Sequence, residues 1–238
     1  MTGRFYDDLS ASYHLMFGDW DAGIAYQAGV LSELIGPAGR VLDCACGIGT
    51  QSIGLASRGY DVVGSDLSPA AAARATREAS ARGVRVPAFA ADMRALPFRD
   101  GEFDVVLAAD NALPHLLNPE DVLKALGEMR RVLRRGGRLV LSVRDYDALL
   151  RDRPISTPPQ VGPGRVVTFQ LWHWHGDRYD LELFQLHESD SWRVEVHRAT
   201  YWAITRAELT SLVERAGFDY CLWPDTAYYQ PVIVATNG

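Results

Sequence analysis

The 238-residue sequence lacks long apolar segments: no stretch holds 18 consecutive uncharged apolar residues, and the first residues do not have the form of a signal peptide. Because a membrane helix needs about 20 such residues, we expect no membrane contact and a cytoplasmic location. An excess of positive charge is also missing, since 24 Lys and Arg face 30 Asp and Glu and give a formal net charge of −6. Nucleic-acid binding needs clustered basic residues, so this composition argues against such a partner.

Cysteine is scarce as well. The three cysteines are an odd number, and the first two are separated by a single residue: Cys44, Cys46 and Cys221. That spacing does not match the Cys-x-x-Cys pattern of redox and zinc motifs. His173 and His175, with His187 on a neighbouring segment, are candidate zinc ligands, but no carboxylate or cysteine completes the set. We therefore predict reduced thiols and no metal.

A strand–loop–helix pattern is present at residues 41–56. An apolar, strand-like run is followed by Gly47 and Gly49, and then by a segment of helical composition. Such a glycine loop lets a ligand approach the backbone at the carboxyl edge of a parallel sheet. Asp43 stands just before the loop, where it can meet an ammonium group of a ligand. A dinucleotide fingerprint would place a third glycine where Ser52 stands, which disfavours an oxidoreductase.

Two further acids end the strand-like runs that follow. Asp66 closes the run that begins at Tyr60, and Asp92, followed by Met93, closes the next one. An acid at the end of the second strand can accept hydrogen bonds from both hydroxyls of a ribose. Together with the glycine loop, these motifs resemble those of the class I S-adenosylmethionine-dependent methyltransferases over roughly positions 36 to 146.

The resemblance implies an α/β fold with a doubly wound, mostly parallel seven-stranded sheet, and S-adenosyl-L-methionine as the cofactor. In that family the loop matching Cys46 to Gly49 holds the methionine part, the acid matching Asp66 holds the ribose, and the pair matching Asp92-Met93 frames the adenine. The cofactor-binding residues expected here are Tyr13, Trp20, Asp43, Cys46, Gly47, Gly49, Asp66, Leu67, Asp92, Met93 and Asp110.

The first 20 residues are rich in aromatic side chains, including Tyr13 and Trp20. Two interpretations are open. The segment is either a lid whose two rings close over the cofactor, or an amphipathic helix packed on the core. A further helix is predicted from about Ala22 to Gly36-Pro37, which ends it.

Polar side chains follow the fourth strand-like run, in the stretch from Asp110 to Leu116. Because the end of a strand in an open α/β sheet faces the ligand crevice, Asp110, Asn111 and His115 are candidate catalytic residues. The alternative for Asn111 and His115 is that they only cap the following turn. If a substrate amine must lose a proton, Asp110 or His115 would accept it, directly or through water.

A proline-rich connector at residues 154–164 precedes three strand-like segments, at 165–175, 179–187 and 192–202. Gly176-Asp177 offers hairpin chemistry between the first two. On the third, Arg198 alternates with tryptophans and valines, which predicts that it lies on an apolar face. It either forms an internal ion pair with a glutamate of the hairpin or binds a substrate carboxylate.

Outside the core, the chain resembles the glycine/sarcosine N-methyltransferase group. The resemblance rests on the Asp110-to-Leu116 stretch, Arg144-Asp-Tyr-Asp, the antiparallel segment with Arg198, Tyr201-Trp202, and Tyr228. In that group the arginine matching Arg198 holds the substrate carboxylate, and the asparagine matching Asn111 lies by the amine. The substrate-binding residues implied are Asn111, Arg144, Tyr146, Arg198, Trp202 and Tyr228.

These patterns predict one domain, with an N-terminal lid and helix at 1–35, a cofactor-binding core at 36–147, an antiparallel cap at 148–204 and a closing helix and strands at 205–238. The expected reaction is N-methylation of an amino acid or related amine that bears a carboxylate. O- or C-methylation of a small secondary metabolite is the alternative, and an oxidoreductase or a non-catalytic binding module is less favoured. We expect a small-molecule partner, and a homo-oligomer stays open.

Overall fold

The computed structural model describes residues 2–37 and 39–238. In chain order the strands are β1 Arg40–Asp43, β2 Asp61–Asp66, β3 Ala88–Ala90, β4 Phe103–Ala108, β5 Leu133–Ser142, β6 Gln160–Val161, β7 Val167–His175, β8 Arg178–Glu188, β9 Trp192–Trp202, β10 Phe218–Leu222 and β11 Val232–Asn237. The helices are α1 Thr2–Leu9, α2 Trp20–Ile35, α3 Thr50–Ser57, α4 Pro69–Ala81, α5 Pro119–Val132, α6 Tyr146–Asp152 and α7 Arg206–Arg215. Short 3-10 turns lie at Tyr13–Met16, Leu113–His115 and Pro163–Arg165.

Seven strands form the main sheet, in the order β10-β11-β5-β4-β1-β2-β3. The five strands from β5 to β3 are parallel, and β11 runs antiparallel between β5 and β10. Val41 in β1 pairs with Val62 on one side and Val105 on the other. This topology confirms the predicted doubly wound, mostly parallel sheet.

Helices cover both faces of this sheet, which is why its central strands are apolar throughout rather than alternating. Val41 packs in one core with Leu31 of α2, whereas its neighbour Leu42 packs in another with Met129 of α5. Local caps fix two helix starts: Ser68 accepts a hydrogen bond at the start of α4, and Thr205 with Glu208 forms the capping box of α7.

Helix α5 ends at Val132, before the Gly136-Gly137 pair that could have ended it, because Leu133 already pairs with Phe103 and residues 134–137 then shift the register before regular pairing resumes. Helix α6 was not expected, since seven residues are too few to show helical periodicity.

The second sheet is antiparallel, in the order β6-β7-β8-β9, and lies within the predicted cap region. Gly176, with φ of +66°, makes the tight turn between β7 and β8, as predicted. One face of this cap sheet packs on the core through Tyr179, Leu181 and Leu183. Within the described part of the chain, no helix has the length and apolar character needed to cross a bilayer.

Candidate functional site

The parallel strands β1 to β4 end at the same edge of the main sheet, and a cavity of about 380 Å³ opens there. Ligand pockets in proteins typically occupy roughly 300–1,000 Å³. Nine of the predicted site residues line it: Tyr13, Cys46, Gly47, Asp66, Leu67, Asp92, Met93, Asp110 and His115. The N-terminal segment contributes Tyr6 and Ser10 to the wall, which the sequence had not singled out.

The loop after β1 depends on its two glycines. Gly47 has φ of +51° and Gly49 has φ of +97°, a backbone region that favours glycine. The Gly49 amide donates to the Cys46 carbonyl at 2.8 Å, and a side chain on Gly49 would meet Ile53 and Ala75. Gly49 itself does not line the cavity; it shapes the turn that leads into α3.

Asp66 at the end of β2 lies against this loop. Its carboxylate accepts hydrogen bonds from the amides of Gly47 and Ser68, each at 2.8 Å, and its residue surface is only 8% exposed. Burial raises the pKa of Asp66, and the two backbone donors oppose that shift. A carboxylate has about four acceptor positions, so two remain for the hydroxyls of a ribose.

The next wall is formed by Asp92 and Met93. Arg94 binds the Asp92 carboxylate at 2.7 Å, lowers its pKa and also reaches Asp121 at 2.9 Å. Met93 and Leu67 supply apolar surface beside this charged group. The glycine turn, the buried acid with free acceptor positions and the apolar wall together fit S-adenosylmethionine.

Two residues predicted to contact the cofactor lie behind the cavity wall. Asp43 is 1% exposed, accepts a hydrogen bond from the Ser52 hydroxyl at 2.6 Å, and has its pKa raised to about 7 by burial. The Trp20 indole donates to the Thr50 hydroxyl at 2.9 Å. Neither side chain lines the cavity, so the direct cofactor contact predicted for each is wrong. Both side chains instead bind residues of α3 and so hold the loop and the start of that helix.

Asp110 follows β4 and has a left-handed backbone, with φ of +58°. Tyr13 donates a hydrogen bond to one carboxylate oxygen at 3.0 Å, and Tyr229 donates to the other at 2.5 Å. The carboxylate therefore joins the N-terminal segment to the loop before β11 at the cavity. Tyr229 was missed in the sequence, where only its neighbour in the Tyr-Tyr pair was considered.

Asn111 also has a left-handed backbone, with φ of +66°, and is buried. Its side-chain oxygen accepts from the Arg144 amide at 3.1 Å and from the Tyr146 hydroxyl at 2.9 Å. Its amide nitrogen Nδ2 has no hydrogen-bond partner within the described structure. Asn111 does not line the cavity, and a buried unpaired donor of this kind is costly unless a ligand meets it.

His115 lines the cavity and shares a hydrogen bond of 2.8 Å with the Tyr6 hydroxyl. Burial, assisted by the positive charge of Arg144, lowers the pKa of His115 to about 3. The ring is therefore neutral at pH 7 and a weak proton acceptor, which argues against its predicted role as a base. Its ring packs on Tyr201, with the centroids 4.2 Å apart.

Arg144 lies behind that ring contact in a cluster that we call the arginine box, composed of Arg144, Trp172, Tyr179 and Tyr201. The guanidinium stands 4.8 Å from the centre of the Trp172 ring and 5.4 Å from that of Tyr201, and it donates to the Tyr179 hydroxyl at 2.8 Å. Burial lowers the pKa of Arg144, but the surrounding tyrosine oxygens outweigh it and the net shift is upward. Among residues 2–37 and 39–238, no carboxylate pairs with this cation.

Arg198 does not have the surroundings predicted for a residue that binds a substrate carboxylate. Its side chain is 69% exposed on the outer face of β9, and its Nε donates to Glu182 at 2.7 Å. The apolar residues on this face of β9 wrongly suggested that it meets the core. Trp192 and Val194 are about half exposed, and it is the opposite face whose residue Tyr201 packs in the core. The predicted carboxylate contact is thus corrected to the ion pair with a hairpin glutamate.

None of the other predicted substrate residues lines the cavity either: Asn111, Arg144, Tyr146, Trp202 and Tyr228. Tyr146 is buried and bonded to Asn111, next to the arginine box. Trp202 is part of the hydrophobic core. Tyr228 is buried and donates to the side chain of Gln27 at 2.9 Å, so it anchors the loop before β11 to α2 rather than facing a ligand.

Comparisons with known proteins agree with this geometry. The family described as "Methyltransferase domain" matches residues 41–137. The glycine/sarcosine N-methyltransferase of Parasynechococcus marenigrum is 41% identical over 136 residues, covering 56% of this chain and 48% of the relative. The putative methyltransferase YqeM of Bacillus subtilis is 30% identical over 172 residues, covering 66% of this chain and 69% of the relative.

A solved structure shares the whole fold. The S-adenosylmethionine-bound amino pentose methyltransferase CalS10 from Micromonospora echinaspora superposes with a TM-score of 0.72 at 24% identity, covering 96% of this chain and 95% of that one. The chain spans about half the length of the first curated relatives that it matches. The names of other similar proteins refer to demethylmenaquinone or to a sugar as the methyl acceptor, so the comparisons leave the acceptor of this chain open.

Proposed function

Because the chain belongs to the class I S-adenosylmethionine-dependent methyltransferases, we propose that it methylates the amine of a small molecule that also bears a carboxylate. The observation that carries the proposal is the guanidinium of Arg144, which is enclosed by aromatic rings and lacks a carboxylate partner among the described residues. A desolvated cation without a counter-charge is unfavourable, so an anionic group of a ligand is its natural partner.

The cofactor is proposed to lie in the cavity at the ends of β1 to β4. Asp66 would hold the ribose, the loop from Cys46 to Gly49 the methionine part, and Leu67 and Met93 the adenine. When bound, S-adenosylmethionine supplies an electrophilic methyl group on a sulfonium centre, which is already an excellent leaving group. The protein therefore has mainly to orient the acceptor and to exclude water.

The carboxylate of the acceptor is proposed to meet Arg144 and the unpaired Nδ2 of Asn111. These two residues are already connected, because the Arg144 amide donates to the Asn111 side chain. The box also adjoins the cavity, since Tyr201 contacts both the guanidinium and the ring of His115. A guanidinium can bind a carboxylate through two parallel hydrogen bonds, which fixes orientation as well as position.

The amine end would then point toward the cavity, where Asp110 is the available carboxylate. Asp110 is held in place by Tyr13 and Tyr229, so it can accept an N–H of the amine and orient its lone pair. His115 is neutral and serves through its bond to Tyr6, which keeps the N-terminal segment over the cavity.

A radiolabelled methyl-transfer assay tests this function. The chain is incubated with S-adenosyl-[methyl-³H]methionine and with matched pairs of amino acids and their primary amides, and in parallel reactions with amino sugars, phenols and carbon nucleophiles. Because a hydrogen bond to a charged group contributes about 1.5–3 kcal/mol, at least one acid should exceed its amide in kcat/KM by about tenfold or more. Transfer to amino sugars, phenols or carbon nucleophiles with none to any carboxylate-bearing amine would overturn the proposal and favour the O- or C-methylation alternative.

A further inference from the structure

Ser68 follows the proposed ribose acid Asp66 by two positions and is completely buried. Its amide donates to the Asp66 carboxylate at 2.8 Å, and its hydroxyl oxygen accepts from the Ala71 amide at 3.1 Å. A serine that only caps a helix needs no more than this acceptor contact. The Ser68 hydroxyl, however, also donates its proton to the carboxylate of Asp7, which belongs to α1. One buried serine thus links the N-terminal segment to the acid proposed to hold the ribose.

Asp7 also binds the first turn of α4 directly. Its carboxylate accepts from the Ala70 amide at 3.4 Å, and a negative charge at a helix start is favoured by the helix dipole. One turn further along α4, Arg74 is 9% exposed and donates to the Ser10 carbonyl of the N-terminal segment. The segment is therefore joined to α4 at two consecutive turns, and Asp7 caps the helix from outside it.

The two carboxylate oxygens of Asp66 are held by different turns. Oδ2 accepts from the Gly47 amide and Oδ1 accepts from the Ser68 amide. The orientation of the carboxylate therefore depends on both turns, and the Ser68 turn is the one that Asp7 holds. Burial chiefly raises the pKa of Asp66, and the charge of Asp7 adds to that rise. The two acids are thus close enough to repel each other, with the hydroxyl and amide of Ser68 as donors between them.

We propose that Asp7 is a positioning residue for the cofactor: by holding the Ser68 turn, it keeps Asp66 oriented toward the ribose hydroxyls. This inference rests on the proposed function, in which Asp66 accepts those hydroxyls. A carboxylate that is already fixed loses less conformational freedom when the cofactor binds, so the affinity is higher. Undocking of the N-terminal segment removes Asp7, which loosens the turn and weakens cofactor binding.

Titration calorimetry with S-adenosylmethionine tests this role. Asp7→Ala should raise the cofactor Kd about fivefold or more, since two hydrogen bonds that fix the turn are lost. Asp7→Asn should bind with nearly the wild-type Kd, because its amide oxygen still accepts from Ser68 and Ala70. The matched control is Asp19→Ala, which removes the hydrogen bond from the Ala22 amide at 2.9 Å at the start of α2 in the same segment. The control should leave the cofactor Kd unchanged.

A double-mutant cycle distinguishes positioning of Asp66 from a general effect of the N-terminal segment. If Asp7 acts through Asp66, Asp7→Ala should weaken binding by less than about twofold in an Asp66→Ala background. An equal loss in both backgrounds overturns the proposal. So does an Asp7→Ala Kd that matches the wild type while Asp66→Ala weakens binding, a result that leaves the proposed cofactor site standing. If Asp66→Ala itself leaves Kd unchanged, the ribose assignment and this inference both fail.

Discussion

Asp66 is the residue whose geometry fits a single task most closely. Its two backbone hydrogen bonds fix the carboxylate at the wall of the cavity while acceptor positions remain free. Removing the carboxylate should remove the proposed contacts to the ribose hydroxyls without altering the rest of the pocket wall.

We expect Asp66→Ala to weaken S-adenosylmethionine binding by about 1.5–3 kcal/mol, the usual contribution of a hydrogen bond to a charged group. Titration calorimetry measures it. Asp61→Ala is the matched control, because Asp61 stands at the other end of the same strand with an exposed side chain paired to Arg40. Unchanged affinity in Asp66→Ala would remove this residue from the cofactor site.

His115 should make stability depend on pH. Burial and Arg144 lower its pKa from 6.5 to about 3 in the folded chain. Between these values the unfolded chain binds more protons than the folded one. The contribution of the neutral His115 ring to the free energy of unfolding is therefore fully present above pH 6.5 and is lost as the pH falls toward 3.

Between pH 7.5 and 5.0 this loss reaches up to about 2 kcal/mol. His115→Gln should therefore lose less stability than the wild type over that interval, as measured by denaturant unfolding at both pH values. The control is His175→Gln, since the His175 side chain is 67% exposed. An identical pH dependence in wild type and His115→Gln would contradict the buried neutral ring.

The two arginines show why some site residues could not be identified from sequence. Arg198 drew attention because it alternates with tryptophans and valines, yet Trp192 and Val194 of that set are about half exposed on the outer face of the cap. Period-two alternation shows that two faces exist but not which one meets the core. Arg144 was predicted as one substrate residue among several, and only the packed structure shows that it lacks a counter-charge.

At the scale of elements, the N-terminal segment is attached to three parts of the structure. Asp7 accepts hydrogen bonds at the start of α4, including one at 3.4 Å from the Ala70 amide. Ser12 donates to Gln185 of the cap sheet at 2.7 Å, and Tyr13 donates to Asp110. Phe5 and Leu9 of the same segment are buried in the hydrophobic core, so opening of the segment has to expose these two side chains as well as break the polar contacts.

We predict that this segment is a lid, which is one of the two interpretations of the sequence. Met1, which belongs to the predicted lid, lies outside the described residues. Limited proteolysis within residues 2–20 should slow when S-adenosylhomocysteine is added, because Tyr6, Ser10 and Tyr13 would then contact the bound ligand. Adenosine monophosphate at the same concentration is a control for nonspecific protection. Equal cleavage rates with and without S-adenosylhomocysteine would favour a permanently packed helix.

Elements with strong local signals were predictable, and short ones were not. The caps at Ser68 and Thr205, the turn at Gly176, the end of β2 at Asp66 and the end of β4 shortly before Asp110 follow from local chemistry. α6 has seven residues and β6 has two, which is too little for a period to show.

At the scale of the whole molecule, the proposed cofactor half and the proposed acceptor half of the site are built differently. The cofactor half uses consecutive strand ends, so its residues could be read along the sequence. The arginine box joins the end of β5 to β7, β8 and β9, because Arg144 meets Trp172, Tyr179 and Tyr201 only when the cap sheet folds onto the core. Long-range packing of this kind leaves no local pattern, and only the resemblance indicated Arg144.

The most direct test of the account is a comparison of Arg144→Lys with Arg198→Lys. For a carboxylate-bearing acceptor, Arg144→Lys should raise KM about tenfold or more, because lysine cannot form the two parallel hydrogen bonds of a guanidinium. The cofactor Kd should stay near the wild-type value, and Arg198→Lys should change neither quantity. If Arg144→Lys leaves KM unaltered while lowering Tm, or if Arg198→Lys raises KM instead, the assignment of the substrate carboxylate to Arg144 is wrong.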